Sequence, residues 1–138
     1  MPSGPENRFI QAVHRLLTAD VYRMKNHNPY NSGIPDCWYS GAKGDLWVEY
    51  KFIALPKRDT TVIDLVSGAS PVLSVLQQQW LIGRDAEGRN VGVIIGAAQG
   101  GVWLPKTTFR QSMTAKEMQA RLMSKHELAA LIKTATHQ

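Results

Sequence analysis

Cysteine is almost missing from this chain of 138 residues: Cys37 stands alone. A single thiol excludes an internal disulfide framework and a multi-cysteine zinc site, and it favours a cytoplasmic setting. Long apolar runs are missing too. No stretch approaches the ~18 residues of a membrane span. Glu6 and Asn7 stand where the apolar core of a signal peptide would begin. The expectation is a soluble protein that stays where it is made. Of the four histidines, no two share a helix at metal-ligand spacing, and no Ser-His-Asp or Cys-His arrangement is legible. Gly100-Gly101 lacks the Lys-Ser/Thr of a phosphate loop. Acidic residues are the scarcer charge, 11 against 16 basic, for a net charge of +5. From Lys106 onward, six basic residues (Lys106, Arg110, Lys116, Arg121, Lys125, Lys133) face only Glu117 and Glu127. Such a balance points to an acidic partner, of which nucleic acid is the commonest.

What is present suits one compact domain. A chain of this length buries about two thirds of the surface its unfolded form exposes, enough for a core without staples. Pro5 and Glu6 open a helical pattern in which Phe9, Ile10, Val13, Leu16 and Leu17 recur at helical spacing, reaching to about Ala19. Asp20 to Met24 reads as a short strand. A polar loop, Lys25 to Gly33, precedes a strand over Ile34 to Tyr39. Leu46 to Ile53 is the strongest strand, aromatic and β-branched with period-two alternation. Pro56 to Gly68 reads as irregular, with a short apolar stretch at Val62 to Val66. Ser74 and Gln77 form a capping box that opens a helix through Ile82. Val91 to Ala97 reads as a buried strand, and a turn at Gln99-Gly100-Gly101 leads into Val102-Trp103-Leu104. Two further boxes, Thr114 with Glu117 and Ser124 with Glu127, predict two short terminal helices. The expected layering is a mixed sheet flanked by helices.

The chemistry concentrates on the strong strand. Alternation puts Leu46, Val48, Tyr50 and Phe52 on a core face, and Trp47, Glu49, Lys51 and Ile53 on the other. Glu49 and Lys51 then lie roughly 6.6 Å apart along the strand. That gap suits a metal ion and a phosphate. It also suits a half-exposed ion pair worth ~0–1 kcal/mol. Asp36, at the start of the preceding strand, tips the balance. The short connection from Ser40 to Asp45 makes the two strands an antiparallel pair, so Asp36 and Glu49 can project toward one point. Two converging carboxylates repel unless a cation lies between them, and hard oxygen donors suit Mg²⁺ or Mn²⁺. Taken alone, Asp36 also fits as a turn cap.

Pro35-Asp36, twelve intervening residues and Glu49-Tyr50-Lys51 resemble the PD-(D/E)XK nuclease superfamily. Ser32-Gly-Ile-Pro-Asp36, and Leu73-Ser-Val-Leu-Gln77-Gln-Gln-Trp80-Leu81 followed by Gly88 and Val91-Gly-Val, look like its VRR-NUC branch. The resemblance covers about residues 5–97. It implies an α/β (α+β) fold with a restriction-endonuclease-like αβββαβ core, a mixed central sheet and a C-terminal helical appendage. Residues 1–104 would form the nuclease core and 105–138 a basic helical extension of the same domain.

The resemblance also implies roles. Asp36 and Glu49 would be metal ligands, with the backbone carbonyl of Tyr50 as a third. Lys51 would orient the attacking water or stabilise charge on the phosphate. Glu6 matches a helix carboxylate that reaches the same ion, and it also fits as a first-turn residue favouring the helix dipole. Gln77 matches a helix glutamine near the site, a role expected to compete with its capping box. His14, eight residues after Glu6, is expected near the same face as that carboxylate. His27 could touch phosphate, and Cys37 reads as core. Trp47, Trp80 and Trp103 read as packing residues, while Trp38 shares the face of Asp36 and borders the cleft. The implied activity is a Mg²⁺-dependent DNA endonuclease, with Mn²⁺ able to substitute, acting on branched DNA such as four-way junctions, as a homodimer. Two alternatives stay open: a sequence-specific cutter of the restriction or homing type, and a non-catalytic nucleic-acid-binding module that uses only the basic terminal region.

Overall fold

A computed structural model describes residues 4–26 and 33–137. Pro5 at the first helical position and Glu6 in the first turn start α1 (Pro5–Arg15), which buries Phe9, Ile10 and Val13. The helix stops short of Ala19 because its last turn tightens: Leu16 and Leu17 donate to the carbonyls three residues back, Val13 and His14. Five strands then make the main sheet in the order β1 (Tyr22–Lys25), β2 (Cys37–Ser40), β3 (Asp45–Phe52), β5 (Val91–Ala97), β6 (Gly100–Pro105). The β3–β5 pairing is parallel and the other three are antiparallel. The crossover between β3 and β5 carries β4 (Val62–Ile63) and α2 (Val75–Ala86). After β6 come a 3-10 turn (Thr108–Arg110), β7 (Met113–Thr114), α3 (Ala115–Arg121) and α4 (Lys125–His137). All three capping boxes form, each with the two reciprocal hydrogen bonds its sequence predicts.

Helices cover both faces of the sheet. On one face, α1 and α4 bury Tyr39, Leu46, Val48, Tyr50 and Ile94. Phe9 lies on a floor of glycine: a Cβ at Gly96 or Gly101 would come within 3.0 or 2.9 Å of its ring. That close approach fixes α1, and Glu6 one turn earlier, against the sheet. On the other face, Leu81 of α2, Met118 of α3 and the small β4–β7 sheet pack against Val91, Val93, Ile95, Val102 and Leu104. The segment Pro56 to Gly68, expected to be irregular, therefore contributes strand β4 and the core residues Ile63 and Leu65. The terminal helices are also built in, since Leu128, Ala129 and Ile132 of α4 belong to the first core. Their apolar faces leave the basic side chains outward.

His14 is partly buried. Eight residues of helix rotate its direction by about 80° from that of Glu6, enough to turn it to the core. There its Nε2 lies 2.7 Å from the Tyr39 hydroxyl, which lies 2.7 Å from the Tyr50 hydroxyl. Burial, followed by the charges of Arg23 and Lys25, pushes the His14 imidazole down to about 4. Burial likewise holds both phenols above their ordinary range. The chain of three groups is thus neutral at physiological pH.

Because the folded imidazole resists protonation, the unfolded state takes up a proton first as pH falls. Stability contributed by neutral His14 is full above about 6.5 and is lost as pH drops toward about 4. Urea melts across that window will show His14→Gln with a flatter pH dependence than the wild type. Parallel curves would contradict the assignment.

Candidate active site

The site grows from the junction of β2 and β3. Gly33, Ile34 and Pro35 lead into Asp36, just before β2 begins. Gly33 has φ +95°, and a Cβ there would lie 2.7 Å from the Leu76 carbonyl oxygen. Only glycine allows both this backbone conformation and the approach. The contact seats the Asp36 loop on the first turn of α2. From the other side, the Asn26 N–H donates to the Asp36 carbonyl at 2.6 Å. The Tyr50 N–H donates to Asp36 Oδ2 at 3.1 Å. The β2–β3 register pairs Cys37 with Val48, and one step further sets Asp36 opposite Glu49.

Glu49 is 1% exposed. Its Oε2 accepts from Gln77 Nε2 at 3.2 Å and lies 3.8 Å from Lys51 Nζ. Its Oε1 is buried and has no hydrogen-bond partner among the described residues. Burial first, then the charge and contact of Asp36, push the Glu49 carboxyl up to about 9 against the opposing pull of Lys51. Glu6 is raised as well, by burial and by Asp36, against Lys51 and Lys25. Three acidic side chains therefore act on one region, with Lys51 beside them and Lys25 at its edge. Among the described residues no three His, Cys, Asp or Glu side chains gather closely enough to hold an ion. Asp36 and Glu49 meet as a pair, and Glu6 acts on both through space. The Tyr50 N–H points toward Asp36, and in a strand the carbonyl of the same residue points to the same side. The Tyr50 carbonyl is thus aimed past the start of β2.

Gln77 corrects an expectation. Its two roles do not compete, because the amide has two ends: Oε1 accepts from the Ser74 N–H at 2.9 Å while Nε2 donates to Glu49. The cap orients the donor. The face of β3 that bears Glu49 and Lys51 is also more enclosed than alternation suggests, since α2 covers it. Lys25 is an addition. Its sequence neighbours read as a polar loop, but it ends strand β1 across from Cys37, which brings its charge to Glu6. Cys37 is buried in the first core. His27 lies outside the described residues.

No protein-family model and no curated protein matches the chain. Among solved structures, it is similar to a Holliday junction resolvase, Hjc, from the archaeal hyperthermophile Archaeoglobus fulgidus. The TM-score is 0.51 at 13% identity, over 90% of this chain and 99% of that one. The likeness establishes the fold: a mixed five-stranded sheet with helices, in the arrangement of a resolvase nuclease.

Two outcomes test the site. Without metal, the folded state holds the Glu49 proton from about 4.5 up to about 9 while the unfolded state releases it. Stability falls through that window, by up to about 1.4 kcal/mol per pH unit. In EDTA, the melting temperature of Glu49→Gln will therefore gain on the wild type as pH rises, and a constant difference would refute the burial argument. Gly33→Ala will cost about 1–3 kcal/mol in urea unfolding. A neutral result would show that the loop is not seated on α2.

Proposed function

We propose that this protein is a divalent-metal-dependent endonuclease that hydrolyses DNA phosphodiester bonds, selective for branched DNA such as junctions. The observation that carries the reading is the buried Glu49 carboxyl, with one oxygen unpartnered among the described residues, facing Asp36 and flanked by Lys51. Leaving a buried carboxylate oxygen unsatisfied beside a second carboxylate is costly. A cation held there removes both penalties, and the all-oxygen donor set fits a hard ion, Mg²⁺ or Mn²⁺. Asp36, Glu49 and the Tyr50 carbonyl would hold it, with Glu6 as an outer carboxylate. When bound, such an ion acidifies water and neutralises charge on the phosphate.

The chain's own residues do the rest. Tyr50 N–H and Gln77 Nε2 each fix one carboxylate, so neither must reorganise during the reaction. Lys51 presents a fixed positive charge where negative charge grows on the phosphate. The basic surface supplies the attraction that brings DNA to the site. The likeness to a protein described as a Holliday junction resolvase favours branched DNA over a long duplex sequence as substrate. A homodimer would match the two-fold symmetry of a four-way junction.

The test uses a labelled four-way junction and an intact duplex of the same sequence, with Mg²⁺, Mn²⁺ or EDTA. Cutting is expected with either metal, faster on the junction, and absent in EDTA. Glu49→Gln and Lys51→Ala should each slow cutting by about 100-fold or more while junction binding persists. Cutting of the duplex at one fixed sequence would favour the restriction-type alternative. Binding without cutting in any metal would favour the non-catalytic one.

A further inference from the structure

The sheet face that bears the carboxylates also carries a row of aromatic rings that the proposed chemistry does not use. Tyr22 stands edge-on to Trp38 with centroids 5.5 Å apart. Trp38 lies 6.0 Å from Trp47, and Trp47 5.3 Å from Trp80 of α2. The Arg84 guanidinium ends the row, 5.8 Å from the centre of the Trp80 ring. Trp47 and Trp80 are half-buried and line a cleft of about 700 Å³ with Lys43, Asp45, Arg84 and Arg89. The three cations are exposed. Arg84 pairs with Glu87 at 2.8 Å, a surface contact that a phosphate can displace cheaply. Asp45 already accepts from the Ser40 hydroxyl at 2.7 Å.

The cleft begins one same-face step along β3 from Glu49, at Trp47. On β3, Trp47 precedes Glu49 and Lys51 on one face, at roughly 6.6 Å per same-face step, the scale of one nucleotide in an extended strand. On α2, Gln77 meets Glu49 and Trp80 meets Trp47. The helix thus runs opposite to the strand, and the cleft lies at the end of this pair where Trp47 and Trp80 meet.

We infer that this cleft takes an unpaired nucleotide of DNA next to the bond held at the carboxylates. Its base lies against the indoles of Trp47 and Trp80, and its phosphates meet Lys43, Arg84 and Arg89. Indole faces accept any base, because every base has a π-face. An intact duplex keeps its bases in the stack and offers the cleft only phosphates. Gaps, flaps and branch points release bases. The inference deepens the proposed function by naming what on the DNA is recognised. The step from cleft to scissile bond rests on that reading, but binding in the cleft does not.

The test is fluorescence anisotropy in EDTA, so that nothing is cut. The probes are a labelled duplex, the same duplex with a thymine gap in one strand, and the same gap built from abasic residues. The wild type should bind the thymine gap about five- to hundred-fold tighter than the abasic gap, with quenching of tryptophan fluorescence. Trp80→Leu should abolish that preference and leave affinity for the intact duplex unchanged. Lys43→Ala combined with Arg89→Ala, both at exposed positions, should weaken binding to the two gaps alike and lower its salt dependence. Equal wild-type affinity for thymine and abasic gaps overturns the inference. So does a folded Trp80→Leu variant that keeps the preference. If Trp80→Leu does not fold, the wild-type comparison and the double variant decide. A retained thymine preference in a protein that cuts nothing with Mg²⁺ or Mn²⁺ would sink the nuclease reading alone. Metal-dependent cutting without the preference would sink the cleft alone.

Discussion

The cost of ionising Glu49 beside Asp36 in a covered cleft is the constraint around which this molecule is arranged. Asp36, just before β2, and Glu49 of β3 meet where Glu49 is buried from water. A pair of this kind persists in a fold only when the surroundings leave it no escape. Here the antiparallel β2–β3 register brings the two side chains across from one another. The Tyr50 amide holds one and the Gln77 amide the other. The Gly33–Leu76 contact closes the loop that delivers Asp36. Each restraint comes from a different element, so moving one leaves the others opposing the shift.

The scaffold serves this arrangement by burying β3 on both sides. Its parallel partner β5 forces a crossover, and the crossover helix α2 brings a capped N-terminus directly over Glu49. A parallel pair at the centre of a sheet is normally covered on both faces, and this one is. The opposite face is filled by α1 and α4, with Phe9 settled on glycines 96 and 101. The polar chain from His14 through Tyr39 to Tyr50 adds direction to an otherwise apolar layer. It ties the orientation of α1 to the strand that carries the site.

The parts of this picture that are legible in the sequence are those set by short-range rules. Period-two alternation assigned the faces of β3, a short connection paired it with β2, and capping boxes marked three helix starts. The convergence of Asp36 and Glu49 follows from those alone. What was not legible depended on distance or on detail finer than a period. Strands β4 and β7 are two residues each, too short to show any alternation. The polar residues of β3 suggested an open face because sequence does not reveal which helix will cover them. Gln77 seemed to face a choice because a residue-level reading treats an amide as one group. The aromatic row joins β1, β2, β3 and α2, and only the assembled register makes it a row.

One hydrogen bond has a use beyond holding a side chain still. The Tyr50 amide proton points at Asp36 Oδ2, while the ring of the same residue lies wholly inside the core. A backbone proton aimed at a carboxylate senses the electric field of the charges around it. Its nuclear magnetic resonance frequency is therefore a native gauge of the electrostatic state of the cleft, readable without a label. Because the residue is anchored in the interior, the signal moves with charge and not with loosening of the chain.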